Sequence, residues 1–319
     1  MTGPVLRLAG AALLVLSLGA TGFMVVWWGA AGIGDAVWRG LPALPAALSV
    51  HAAQLSLSGI GWWFLLPSPR PRMGILLMTR WVREALNTVL PLGGLSGGVA
   101  ATRLLARDAG ISMAAATAAT AGDLTCEAIA QAPYLIAALA TVALLAPGTL
   151  TPLRAALAVL PIVMAAAAFV TAQRLGIMRL IERAARRLGF GGAMDGLHDG
   201  IMALHARPAD IGRALAMHVL SWSLGGAEVW VVLNAIGHPV GAGAAFAIEG
   251  LGMAARSLGF ALPSGLAAQE AGFVVACAAF GVPAPDAVAM SMVKRVRELI
   301  VAIAGVAAWR IALLRPASI

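Results

Sequence analysis

Residues 262–300 read LPSGLAAQEAGFVVACAAFGVPAPDAVAMSMVKRVRELI, and residues 90–129 read LPLGGLSGGVAATRLLARDAGISMAAATAATAGDLTCEAI. With one residue of the first glycine pair set aside, the two stretches run in step 171 residues apart. Pro91 then falls near Pro263, Leu95 on Leu266, Gly110 on Gly281, Ile111 on Val282, Glu127 on Glu298 and Ile129 on Ile300. Each copy is an apolar segment broken by Pro and Gly and followed by a long apolar run with charges inside it. A repeat of this kind sets the architecture before any single helix is placed. In a membrane chain, broken apolar segments at matching places in two halves point to a transporter-like site.

The composition puts the chain in a membrane. Of its 319 residues, 61% are hydrophobic and 11% charged, against about 25% charged in a soluble domain. Several apolar runs exceed the roughly 18 residues that mark a span. No polar stretch is long enough to build a separate soluble domain. The net charge of +8 excludes nucleic acid less by its size than by its placement. The arginines stand at span ends and in one loop, where topology and anionic headgroups account for them. Cys126 and Cys277 both lie in apolar segments, so no disulfide framework is expected.

Read in order, Leu8–Ala31 is a first span closing on Trp27 and Trp28, and Ala43–Leu66 is a second closing on Trp62 and Trp63. Gly32–Pro42 connects them, and Pro67–Arg72 is a loop barred from helix by its prolines. Residues 73–110 form a hairpin broken at Pro91, Gly93, Gly94, Gly97 and Gly98. It is read either as re-entrant or as two short full spans, because 18 helical residues reach about 27 Å. Ser112–Ala146 is a long helix kinked at Pro133, and Leu153–Gln173 spans back. Arg174–Arg187 is a basic amphipathic segment on the cytoplasmic surface, continued by a loop to residue 208. Asp210–Gly237 is a span, residues 242–282 form a second hairpin broken at Pro263, Ser264 and Gly265, and Asp286–Leu314 is the last span.

Placing the basic segment in the cytoplasm puts nearly every arginine-bearing loop on the same side. The first hairpin then enters from inside and the second from outside. The expected fold is an all-α polytopic membrane protein, with about six full transmembrane helices and two oppositely oriented re-entrant hairpins. The inverted repeats cover residues 43–146 and 210–314, joined by span 153–173 and the basic loop 174–208. Both termini are expected in the cytoplasm.

Charges inside spans cost about 2.5–3.5 kcal/mol each on insertion scales, so they pair or face a cavity. Asp123, Glu127 and Gln131 line one face of their helix at a spacing of four. Lys294, the only lysine in the chain, and Arg297 and Glu298 lie near the middle of the last span. With Arg103, Glu249, Arg256 and Glu270 they are candidates to line a substrate path, with the two repeats' charges facing each other. Structural ion pairs that fix helix packing are the competing account. The Gly-rich break reads either as a helix N-terminus able to hold an anionic headgroup or as small-residue contacts for close helix approach. His51 and His218 read as isolated, satisfied histidines. His198, Asp199 and His205 sit in a loop without metal-ligand spacing, so no metal and no cofactor are expected. No nucleophile–base pair is visible, and the chain is expected not to be an enzyme.

The stretches VREALNTVLPLGGLSGGVAATRLL (82–105), AATAGDLTCEAIAQ (118–131), IEGLGMAARSLGFALPSGLAAQEAGF (248–273) and AMSMVKRVRELI (289–300) resemble the transmembrane, flippase-like region of lysylphosphatidylglycerol synthases. Within that family they are most similar to the hopanoid-biosynthesis-associated (HpnL-like) branch. The resemblance spans nearly the whole chain and matches at Asn87, Pro91, Gly97, Gly98, Arg103, Asp123, Glu127, Gln131, Glu249, Arg256, Pro263, Gln269, Glu270, Lys294, Arg295, Arg297 and Glu298. Val99 stands where the family has an acidic residue, and Pro263-Ser264-Gly265 where it more often has Pro-Gly-Gly. The resemblance implies a bacterial inner-membrane protein that moves or handles lipid. Its partners would be a membrane lipid substrate and anionic headgroups at Arg174–Arg187, with a second copy of the chain or lipid-pathway enzymes as further candidates.

Overall fold

The computed structural model describes residues 30–89, 95–149, 151–187, 196–258 and 266–314. These form helices joined by turns and short loops, with no strand among them. Helix α1 (Ala30–Gly40) runs through a 3₁₀ turn (Leu41–Ala43) into α2 (Leu44–Leu65). Then follow α3 (Met73–Val89), α4 (Leu95–Ala109), α5 (Met113–Leu145), α6 (Pro152–Arg174), α7 (Ile177–Arg187), α8 (Leu197–His205), α9 (Pro208–Ile236), α10 (Ala242–Leu258), α11 (Leu266–Ala278) and α12 (Ala284–Leu314).

Four stretches among the described residues are long and apolar enough to cross a membrane: Gly32–Leu65, Met113–Leu145, Ala155–Arg174 and Pro208–Ile236. The chain is an all-α polytopic membrane protein. Helix α12 has the length, with 31 residues, but Lys294, Arg295, Arg297 and Glu298 interrupt its apolar run. Its charges are matched by partners on other helices, as described below. The apolar stretch of α6 contributes no buried residue to the interior. Leu153, Leu157, Leu160 and Met164 stand outward there, which suits a helix facing hydrocarbon.

The two halves follow one plan. The first is a helix of 22 residues, a pair of 17 and 15, and a helix of 33. The second is a helix of 29, a pair of 17 and 13, and a helix of 31. The short helices of each pair pack on each other, α3 on α4 and α10 on α11. The aligned glycines Gly110 and Gly281 close the short pairs with φ of +64° and +75°. A residue with Cβ is strained there. In the first half Ser112 then caps α5, its side chain accepting from Ala115 N. Helix α5 continues as one helix through Pro133.

Helices α2 and α9, the leading helices of the two halves, form the most extensive contact in the molecule. Around them lies a core that includes Ala36, Val232, Ile248, Phe273 and Met290. A second core of Trp62, Leu66, Leu76 and Leu105 joins α2, α3 and α4.

Three expectations change. Gly32–Pro42 is helix rather than open connection, its apolar face supplying buried Ile33 and Ala36. The basic segment breaks at Leu175–Gly176, where Gly176 has φ +87°, so the amphipathic helix proper is α7. The loop to residue 208 contains α8, whose Leu197, Ile201 and Leu204 pack on Leu65, Ala118 and Cys126. His198 is accordingly buried, its backbone N–H donating to Glu182 Oε1 at 2.7 Å. The first expected span and the breaks at Pro91, Gly93, Gly94, Pro263, Ser264 and Gly265 lie outside the described residues.

Candidate functional site

The charged residues of the interior assemble into three groups of four, each with two cations and two carboxylates. The first joins α3 to α5. Arg80 and Arg83 share one face of α3, and Asp123 and Glu127 share one face of α5, because residues three or four apart are neighbours on a helix. Each guanidinium spans both carboxylates. Arg80 reaches Asp123 Oδ2 at 3.4 Å and Glu127 Oε1 at 3.3 Å. Arg83 bonds to Asp123 and reaches Glu127 Oε2 at 2.9 Å. His218 of α9 closes the group from the other half, with Nε2 donating to Asp123 Oδ1 at 2.9 Å. The ring of Trp62 lies beside Arg83, 5.8 Å from centroid to guanidinium carbon, within the range of a cation–π contact.

The second group joins α9, α10 and α12. Arg297 grips Glu228 with a two-pronged contact, Nε to Oε1 at 2.9 Å and Nη2 to Oε2 at 3.1 Å, the strongest geometry for such a pair. Lys294 Nζ lies 2.5 Å from Glu249 Oε2 and 3.6 Å from Glu228 Oε2. The third group lies one position along α12. Arg295 bonds to Glu298 Oε2 at 2.7 Å and sits 3.9 Å from Glu270 Oε1. Arg256 of α10 lies 3.7 Å from Glu298 Oε1. Gln269 ties the group together, its Oε1 accepting from Arg295 at 2.7 Å and Arg256 at 3.4 Å.

Exposure separates the three. The second group is sealed, with every charged side chain at 7% exposure or less. The first opens through Glu127, whose side chain is 26% exposed. The third opens through Arg256 at 38% and Glu298 at 18%. A crevice of about 10 Å³ is lined by Gln131, Tyr134, Leu135, Trp222, Gly250 and Met253. Gln131 stands one turn beyond Glu127, and Met253 one turn before Arg256. The hydroxyl of Tyr134 is buried with no hydrogen-bond partner among the described residues. As it stands the crevice has room for about one water molecule, not for a lipid.

The sequence-predicted residues therefore fall in separate places. Asp123 and Lys294 were expected to face each other across the repeats; each is instead neutralised in its own group. Glu249 and Arg256 were expected to find partners in the neighbouring repeat, yet their ion pairs are with α12 of their own half. This lowers the cost of burying each half's charges without the other. Glu270 is buried beside Arg295. Arg103 is exposed and belongs to none of the groups. Gly97 is buried against α3, its N–H donating to Asn87 Oδ1 at 3.0 Å. A Cβ there would run into Arg83's carbonyl oxygen, which is the close-approach role.

Sequence reasoning missed Arg80, Arg83, Glu228 and His218 as members of these groups. The signal was present as intramembrane charge, and the i, i+3 spacing of Arg80 and Arg83 against the i, i+4 spacing of Asp123 and Glu127 could have matched them. His218 and Glu228, alone in a long apolar helix, gave no spacing to read.

The family model of the lysylphosphatidylglycerol synthase TM region matches residues 5–305. Comparison with curated proteins and with solved structures finds no match.

Proposed function

Because the chain belongs to the lysylphosphatidylglycerol synthase transmembrane-region family, we propose that it moves polar lipids across the membrane. Its two halves would provide alternating access to the crevice between them. The observation that carries this reading is the pair of open ends. Glu127 and Glu298, equivalent in the repeat, are the least buried carboxylates of the first and third groups. The lipid class favoured by the sequence resemblance is a hopanoid-pathway or other polar or polyprenyl lipid. The hairpins then enter from opposite faces of a bacterial inner membrane, with both termini cytoplasmic. A neutralised charge group lets a headgroup exchange partners with the protein, so that no bare charge enters the hydrocarbon.

Lipid movement in proteoliposomes of the purified protein tests this. A fluorescent polar lipid and a hopanoid are compared in wild type and in Glu127→Gln/Glu298→Gln. Movement in wild type that is lost in a folded double variant supports the reading. No movement of either lipid by a folded, monodisperse wild type rejects it.

A second reading has its own observation. On α7, Arg179, Arg183, Arg186 and Arg187 are exposed together with Leu180 and Ile181. Such a face sits at an anionic membrane surface or recruits lipid-pathway enzymes as a scaffold. Replacing these arginines with glutamine leaves lipid movement intact under the first reading and removes the function under the scaffold reading.

A further inference from the structure

Each interior group holds two cations and two carboxylates. A further cluster, where α2 ends and α9 begins, does not balance. Arg70 Nη2 lies 3.0 Å and Arg207 Nη2 2.6 Å from one and the same oxygen, Asp210 Oδ2. Arg213 Nη1 lies 3.1 Å from Asp210 Oδ1. No other carboxylate pairs with these arginines among the described residues, so three cations stand against one anion. Two guanidiniums that bond to a single oxygen atom stand side by side, and the third joins them on the same carboxylate.

Like charges this close repel each other, so their positions need fixing. Arg207 Nη2 donates to Phe64 O at 2.8 Å and to Leu66 O at 3.2 Å, and Arg70 Nη2 donates to Phe64 O at 3.3 Å. These carbonyls close α2, where the helix itself supplies no further donors. The rings of Trp63 and Phe64 lie 4.8 and 5.7 Å from the guanidinium carbon of Arg70, and Phe64 lies 5.7 Å from that of Arg213, within cation–π range. Carbonyls and rings hold the guanidiniums without cancelling their charge. Arg70 Nε is buried and has no hydrogen-bond partner among the described residues. The side chains of Arg207 and Arg213 are 32% and 60% exposed, that of Asp210 only 14%. The carboxylate therefore lies beneath, and the cations reach the surface. One apolar stretch long enough to cross a membrane ends here at Leu65 and another begins at Pro208, which puts the cluster at the level of lipid headgroups.

We propose that Arg70, Arg207 and Arg213 bind a phosphate monoester, carried by a lipid headgroup of the adjoining leaflet or by a soluble phosphate ester. The planar fork of arginine matches phosphate oxygens two at a time. A monoester carries about −1.5 to −2 charges at pH 7, which matches the excess of the cluster. A phosphodiester has a single charge and leaves a cation unmatched. The arginines of α7 are a different case, because they are spread along a helix face and not gathered on one carboxylate. The site uses none of the charges on which the transport reading rests, so it stands or falls independently of lipid movement.

The test is a binding titration of the full-length protein in detergent micelles with a fluorescent phosphatidic acid. The bound probe is then displaced by unlabelled phosphatidic acid, phosphatidylglycerol or glycerol 3-phosphate. Phosphatidic acid should displace it at a concentration about tenfold lower than phosphatidylglycerol does, the worth of one charge-assisted contact. Arg213→Gln should weaken probe binding by about tenfold on the same ground. Arg207→Lys keeps the charge but loses the fork, and should weaken it as well. Arg310→Gln removes an equal charge from the exposed side of α12 and should leave binding unchanged. Displacement by glycerol 3-phosphate as readily as by phosphatidic acid supports the site with a soluble ester as its occupant; displacement by the lipid alone supports it with the headgroup. Equal losses in Arg213→Gln and Arg310→Gln, no loss in Arg213→Gln, or equal displacement by phosphatidylglycerol and phosphatidic acid overturns the proposal. Should Arg207→Lys fail to fold, Arg213→Gln carries the decision, because the hydrogen bond of Arg213 is to Asp210 alone among the described residues.

Discussion

Between the first and second groups, the two halves place opposite charges on corresponding elements. In the first, the hairpin helix α3 carries the cations and the long helix α5 the carboxylates. In the second, the hairpin helix α10 carries Glu249 and the long helix α12 carries Lys294 and Arg297. Each half therefore neutralises itself. The halves also differ in closure: the group on α3 and α5 reaches the surface through Glu127, and that on α9, α10 and α12 is sealed. Burial raises the cost of removing one partner of an ion pair, and exposure raises its availability to another molecule. The sealed group is therefore the structural one, and the open ends are where ligand chemistry belongs.

The largest effect is expected where sealing is complete. Lys294→Met leaves Glu249 and part of Glu228 uncompensated, and the expected loss is about 3–5 kcal/mol, read as thermal unfolding in detergent or as lost expression. The charge-swapped double variant Glu249→Lys/Lys294→Glu should recover a measurable part of that loss through the pair's coupling, about 0.5–3 kcal/mol. Equal losses in the single and double variants would break the account of a locally neutralised half. Next in size is Gly97→Leu. Its side chain has no space between α4 and α3, and overpacking costs about 1–3 kcal/mol. Glu127→Gln should be milder, about 1 kcal/mol, because the pair is partly solvated. If it destabilises as much as Lys294→Met, the distinction between open and sealed groups fails. Tyr134→Phe removes a buried hydroxyl without a partner and should change stability by less than about 0.5 kcal/mol, so any loss of lipid movement in that variant marks the crevice itself.

The smallest effect lies outside the spans. His205 at the end of α8 is held below its usual value, by burial first and by the charge of Arg174 second. The unfolded chain takes up this proton as pH falls below 6.5, the folded chain only later, so stability declines across that window. His205→Gln should flatten the decline slightly, because the side chain is only partly buried.

How far the sequence could be read follows from what each signal depends on. The broken segments and the long charged helices were legible, because Pro, Gly and hydropathy act along the chain. The matched glycines Gly110 and Gly281 were visible as a repeat before their backbone angles explained it. Partner choice was less legible. Asp123 aligns with Lys294, which invited a pairing across the repeats, but alignment reports equivalence and not contact. The equivalents of Asp123 and Glu127 in the other half are Lys294 and Glu298, and each of the four finds its opposite charge on a hairpin helix of its own half. Helix α8 was missed because glycines and polar residues around it masked a single apolar stripe, which packing against α5 makes decisive.

The neutrality of the groups has an electrical consequence. A unit charge moved across a membrane potential of 100 mV gains or loses about 2.3 kcal/mol. A group of two cations and two carboxylates that travels as one body gains nothing, wherever it goes. Rocking one half against the other is therefore blind to voltage as far as Arg80, Arg83, Asp123, Glu127, Glu228, Glu249, Lys294 and Arg297 are concerned. The field acts instead on charges outside the groups, such as the half-buried Glu84.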